Sequence, residues 1–265
     1  MIKEKYKFSD LLEIMNILRS ENGCPWDKEQ DHESLRRYLI EETYEVLESI
    51  DMEDKEGLCE ELGDLLLQIV FHSQIAAENG HFNIEDVINK VCKKMIRRHA
   101  HVFGNDKANT ALDVVEKWEN IKKIEKKQSK CSESLKEIPL NLPALMRSYK
   151  VQEKASRVGF DWDDIENVFE KILEEINELK SVYKSENVEK ITDETGDVLF
   201  SVVNLARFIG ISPELALTGT TNKFIKRFEY IENESQKRGK ALEDMSISEM
   251  DNLWNDAKKA LEKEK

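Results

Sequence analysis

Five segments of this chain occur twice, in the same order, and that repetition limits the possible folds more than any single motif does. GCPWD at Gly23–Asp27 returns as GFDWD at Gly159–Asp163, and EETYE at Glu41–Glu45 returns as EEINE at Glu174–Glu178. ELGDLL from Glu61 returns as ETGDVL from Glu194, KMIRR from Lys94 as KFIKR from Lys223, and WENIKK from Trp118 as WNDAKK from Trp254. The tryptophans fall 92 residues apart in each half, and all five acids of the first set map onto the second at a constant offset of 133. A surface that is merely rich in glutamate has no reason to hold such a register. The halves are a tandem duplication.

Within each half, apolar residues recur at i, i+3, i+4 and i+7, as in Leu62, Leu65, Leu66, Ile69 and Val70, or Val198, Leu199, Val202 and Val203. That is the period of an amphipathic helix, and strand-like alternation is absent. Gly23, Gly80, Gly104, Gly159, Gly210 and Gly239 sit where helices would stop or turn. The prediction is an all-α protein of about ten helices, arranged as two tandem helical-bundle domains. The polar stretch KKQSKCSESLKEIPLNLP, closed by Pro139 and Pro143, marks the join. We expect an N-terminal domain over 1–128, a linker over 129–143 and a C-terminal domain over 144–265.

Composition narrows the function classes. A formal net charge of −14 over 265 residues, with no basic stripe, argues against a nucleic-acid surface. An acidic protein that receives a phosphate ester needs cations in between, although solubility alone also explains negative charge. Cys24, Cys59, Cys92 and Cys131 are widely spaced without a CxxC, as expected for reduced thiols rather than a disulfide frame or zinc site. The N-terminal residues lack a signal-peptide core, and no apolar run reaches the ~18 residues of a membrane span. The expectation is a soluble, cytoplasmic protein with no membrane partner.

The repeated acids have a geometric logic. If an antiparallel hairpin turns near Glu53, then Glu45 and Glu61 are each eight residues from the turn, and Glu42 and Asp64 each eleven. Residues equidistant from a turn lie at the same height, and the i, i+3 spacing puts both acids of a helix on one face. The same count around Glu186 brings Glu175, Glu178, Glu194 and Asp197 together. Four converging carboxylates repel one another unless a cation joins them, and oxygen-only ligation points to Mg²⁺, with Mn²⁺ as a substitute. The alternative is a set of solvated helix faces. Gly63 and Gly196 precede the two aspartates and cost about 1 kcal/mol each inside a helix; close approach of a neighbouring helix is the expected reason for them. A di-iron bundle needs Glu-x-x-His pairs among its inward acids. The two such pairs here, Glu29/His32 and Glu78/His81, lie outside the clusters. The five histidines, all in the first half, read as surface or core-edge residues.

The EExxE…ExxD pattern twice in one chain, with ENGCPWDKEQ, RRHAHVF, LPALMR and VGFDWD, closely resembles the MazG family of tandem-domain, all-α nucleoside triphosphate pyrophosphohydrolases. The resemblance covers nearly the whole chain. It implies hydrolysis of a nucleoside triphosphate to the monophosphate and diphosphate, Mg²⁺ held by the acid motifs, a homodimer and broad base tolerance. Family roles in stress signalling or in removing aberrant nucleotides come with it. Glu174, beside the quartet, is the candidate general base; a solvated glutamate is its other reading.

The halves differ at informative positions. The second has Lys190 where the first has Gly57, and Asn204 where the first has Phe71. A cation beside the acids suits a phosphate oxygen, and an asparagine one face along suits a sugar or base. Lys171, Lys223, Lys226, Arg227, Trp254 and Lys258 complete the candidate substrate contacts, with core packing as the alternative for Trp254. The first half keeps Lys94, Arg97, Arg98, Trp118 and Lys122. The second domain is therefore expected to be the main catalytic one, with Glu174, Glu175, Glu178, Glu194 and Asp197 as its catalytic acids. The first, with Glu42, Glu45, Glu61 and Asp64, would be structural, regulatory or weakly active. A non-catalytic module that senses Mg²⁺-nucleotide is the competing class.

Overall fold

The computed structural model describes residues 2–104, 106–108, 110, 113–114, 117–118, 121, 125 and 130–262. Among these are twelve α-helices and no strand. The surplus over the expected ten lies in short pieces. The chain forms two compact units, Met1–Glu125 and Lys126–Lys265. The expected boundary near residue 128 and Lys122 lie outside the described residues. No single helix among those described is long and apolar enough to cross a membrane.

Unit 1 contains α1 (Phe8–Leu18), α2 (Pro25–Glu29), α3 (Arg36–Asp51), α4 (Lys55–Glu78), α5 (Ile84–Arg98) and α6 (Ala100–Phe103). Its core is Met15, Leu35, Val70, Phe71 and Ile75, packed by Leu11, Leu12, Tyr38 and Leu67. Helix α4 is central because it touches α1, α3 and α5. Arg19, at the end of α1, fixes this arrangement: Nε and Nη2 donate to the Glu78 carboxylate at 2.9 and 2.7 Å, and Nη1 donates to the Gln30 carbonyl at 3.1 Å. One buried guanidinium thereby ties α1, α4 and the segment after α2.

Unit 2 contains α7 (Cys131–Lys136), α8 (Ala144–Ser156), α9 (Ile165–Val182), α10 (Val188–Phe208), α11 (Pro213–Lys237), a 3₁₀ turn (Leu242–Asp244) and α12 (Ile247–Glu262). Helix α10 packs on α8, α9 and α11, and α12 on α11. Ile231, Met245 and Leu253 make a core cluster with Leu242, Met250 and Trp254. The segment read as a linker holds α7, which packs on α8, and Ile138 beyond it is buried. Its polar residues form the outer face of a packed element; composition alone does not separate that from a free connection.

The hairpins that carry the acids are α3–α4 and α9–α10, the most extensive helix pairs in their units. The first turns over Met52–Asp54, with Glu53 in the left-handed region at φ 54. Asp54 then caps α4 by accepting from the Glu56 and Gly57 amides. In the second, Asn187 caps α10 by accepting from the Lys190 amide. Gly80, Gly159, Gly210 and Gly239 all take positive φ after helix ends, as their positions predict.

Candidate metal centre

The hairpin geometry brings the repeated acids together. Carboxylate oxygens of Glu42, Glu45 and Glu61 lie within 4.8 Å of one another, and those of Glu175, Glu194 and Asp197 do the same. The fourth acid of each set stands in electrostatic range. Glu42 is raised above its usual pKa by desolvation first, then by the neighbouring carboxylates of Asp64, Glu45 and Glu61. Desolvation, then Glu45 and Asp64, raise Glu61 in the same way. In unit 2, Glu194 is raised by desolvation first and then by the charge of Glu178; Lys190 pulls the other way. In each, burial and neighbouring carboxylates disfavour the charged form. All the donors are oxygens, at spacings one hard cation can bridge, so the residues fit Mg²⁺ or Mn²⁺.

The two clusters differ in charge. Glu175 is buried, and Lys171 holds it with Nζ 2.7 Å from Oε1 while also reaching Glu174 at 2.9 Å. Lys171 is shifted upward by those hydrogen bonds, Glu175 first. The candidate substrate lysine is thus committed to carboxylates of its own helix, an i, i+4 spacing that the sequence displays. Lys190 sits one turn before Glu194 and partly neutralises it. Unit 1 has Tyr38 and Gly57 at these two positions. No lysine or arginine pairs with Glu42, Glu45 or Glu61 among the described residues.

Gly63 and Gly196 require a correction. A Cβ at either would meet nothing within 4 Å, so no neighbouring helix approaches them closely among the described residues. The i, i+3 spacing fixes which face a glycine occupies but says nothing about what covers that face. The histidines divide between surface and core edge: His32 and His81 are exposed and His72, His99 and His101 half-buried, with the Nδ1 atoms of His32 and His72 2.8 Å apart. All four cysteines are free.

A family model described as the MazG nucleotide pyrophosphohydrolase domain matches the chain twice, over residues 30–103 and 164–231. The chain belongs to the MazG family. Both MazG matches enclose an acid hairpin. A Thermotoga maritima protein named nucleoside triphosphate pyrophosphohydrolase/pyrophosphatase MazG is 48% identical over 251 residues, 95% of each chain. The Escherichia coli K12 nucleoside triphosphate pyrophosphohydrolase is 42% identical over 252 residues, 94% of this chain and 96% of that one. A Bacillus subtilis protein named uncharacterized protein YabN is 49% identical over 254 residues, 96% of this chain and 52% of its own length.

The remaining candidate contacts of this MazG chain divide into two groups. Asn204, on α10, has its amide oxygen held by Arg207 Nε at 2.9 Å, and Arg207 in turn pairs with Asp161. Its amide nitrogen is left to donate. This clamp was not foreseen, because Asp161 lies 46 residues from Arg207. Lys223, Lys226, Arg227, Trp254 and Lys258 form the second group, on α11 and α12, with no hydrogen bond or ion pair to the acids. Trp254 packs on the Ile231–Leu253 core, with Phe224 at 5.0 Å and the Arg227 guanidinium over its ring at 5.3 Å. The core alternative holds for most of its ring.

Packing also accounts for the differences between the copies. Phe71 is 3% exposed in the centre of the unit 1 core. Thermal melting of Phe71→Asn is expected to show a loss of about 3–5 kcal/mol, from the lost ring and a buried unpaired amide. At Gly57, a Cβ would come 2.6 Å from Asp54 Oδ2, so the capping side chain would have to turn to admit it. At Phe71, unit 1 therefore cannot simply be converted into unit 2.

Proposed function

We propose that this MazG chain hydrolyses nucleoside triphosphates, ribo or deoxy, to the monophosphate and diphosphate, with Mg²⁺ and with unit 2 as the principal site. The observation that carries the reading is the Glu175–Glu194–Asp197 cluster, joined by Glu178 and flanked by Lys171 and Lys190. The family and the names of its relatives support the general activity.

Glu175, Glu178, Glu194 and Asp197 would hold the ion. When bound, it supplies Lewis-acid stabilisation of phosphate charge and a more acidic water. Lys190 is placed to neutralise an oxygen of the leaving diphosphate beside Glu194. Lys171 holds Glu174 at one carboxylate oxygen. The other oxygen is free to take the proton of the attacking water as general base. Asn204 offers its amide nitrogen to the sugar or base. With Asn204 as the one sugar or base contact in this reading, broad base tolerance is expected, and the reading extends to a role in managing the cytoplasmic nucleotide pool or stress nucleotides.

We also assign a homodimer. On the α9–α10 hairpin, Leu173 and Leu199 are 60% and 55% exposed, and Gly196 faces open space. A pair of helices with an uncovered apolar face needs a second pair to bury it. Incubation with mixed triphosphates and Mg²⁺ should release diphosphate; orthophosphate as the first product would overturn the reaction. A nucleotide-docking module would bind without releasing either. Sedimentation of the same samples should show a dimer, and a monomer at micromolar concentration would remove that assignment.

A further inference from the structure

Both units contain the same arginine–tryptophan pair. The Arg98 guanidinium lies 5.8 Å from the Trp118 ring centre, and Arg227 lies 5.3 Å from that of Trp254. Arg98 and Arg227 end the matched segments KMIRR and KFIKR, and their preceding residues are Arg97 and Lys226. Each unit thus has two adjacent cations, one of them backed by an aromatic ring. The aligned stretches WENIKKIE and WNDAKKAL then differ at their last position, where unit 1 has Glu125 and unit 2 has Leu261.

That difference decides whether the cations are free. In unit 1, Arg97 Nε donates to Glu125 Oε1 at 2.7 Å and Arg98 Nη2 to Oε2 at 2.7 Å. Arg97 Nη2 also lies 2.6 Å from Oε1. Both carboxylate oxygens are consumed, and the Arg98 and Glu125 side chains are only 13% and 16% exposed. The two guanidinium groups hold Glu125 down to about 2, Arg98 contributing most, so it remains an anion at any ordinary pH. In unit 2, Lys226 and Arg227 have no ion-pair partner among the described residues, and Leu261 offers no charge. A carboxylate gripped by two guanidinium forks presents oxygens much as a phosphate would.

We propose that Glu125 is a built-in anion that fills the phosphate-binding position of unit 1 and keeps it closed to triphosphates, while the equivalent position in unit 2 stays open. The two units then differ in access as well as in the charge of their acid clusters. This rests on the reading that the unit 2 cations receive a phosphate.

The test uses the full chain with Lys226→Ala and Arg227→Ala, which silences unit 2, and inorganic triphosphate as the calorimetric probe. Adding Glu125→Leu, the unit 2 residue, or Glu125→Gln, which keeps the shape without the charge, should tighten binding at least tenfold. Folded variants with no gain would make Glu125 a structural tie and overturn the proposal. Loss of the fold in both would overturn it as well. If the chain releases no diphosphate from nucleotides, the proposed function falls, but a gain at unit 1 would still establish the role of Glu125. If the starting chain binds triphosphate no less tightly than wild type, the unit 2 cations are not phosphate ligands and the comparison that supports Glu125 fails.

Discussion

Glu178→Ala or Asp197→Ala is expected to lower diphosphate release at least about a hundredfold, the scale of losing one preorganised electrostatic group. Asp197 supplies one of the three converging carboxylate oxygens, and Glu178 acts electrostatically on Glu194 beside them. Neither residue is part of the buried core. Removing a carboxylate also relieves repulsion, so the melting temperature should stay the same or rise. Glu45→Ala, the counterpart of Glu178→Ala, should keep most of the activity. Equal losses at the two positions in folded variants would make both sites essential, and unfolding of either unit 2 variant would make the cluster a structural network.

Exhaustive chelation is expected to abolish turnover, and Mg²⁺ or Mn²⁺ to restore it. Glu42, Glu61 and Glu194 all sit above their ordinary 4.5, desolvation leading in each case and neighbouring carboxylates following. A carboxyl raised by folding is protonated more readily in the folded chain. Relative stability is therefore gained as pH falls through the raised value, and repulsion is carried above it. A divalent cation relieves that repulsion only while the acids are charged. Mg²⁺ should accordingly raise the melting temperature at about pH 8, and the increment should vanish by about pH 4. Turnover that survives chelation, or a melting increment independent of pH, would remove the metal from the proposed function.

The acid clusters were legible because a helical hairpin converts counting into position. Once the turn is placed at Glu53, equal distances along the chain become equal heights, and Glu42, Glu45 and Glu61 meet as the count requires. What covers a face was not legible, since spacing carries no information about the next element; hence the misreading of Gly63 and Gly196. Phe71 against Asn204 looked like a difference in chemistry between sites, yet on the unit 1 side it is a matter of core filling. Lys171 could have been recognised from its i, i+4 relation to Glu175. The hold of Arg97 and Arg98 on Glu125 could not, because contacts across 28 and 27 residues depend on how the chain returns.

Lys171 also bears on the working cycle of unit 2. With its ammonium against Glu175 and Glu174, and Lys190 near Glu194, the unit 2 acids remain partly balanced when no ion is bound. Under the proposed function, such a site would tolerate being empty between turnovers, so an ion could arrive with each nucleotide and depart with each diphosphate. Among the described residues, unit 1 has no such positive charge paired with its acids and would retain an ion as a lasting fitting. One duplicated hairpin would then house an exchangeable ion in unit 2 and a resident one in unit 1.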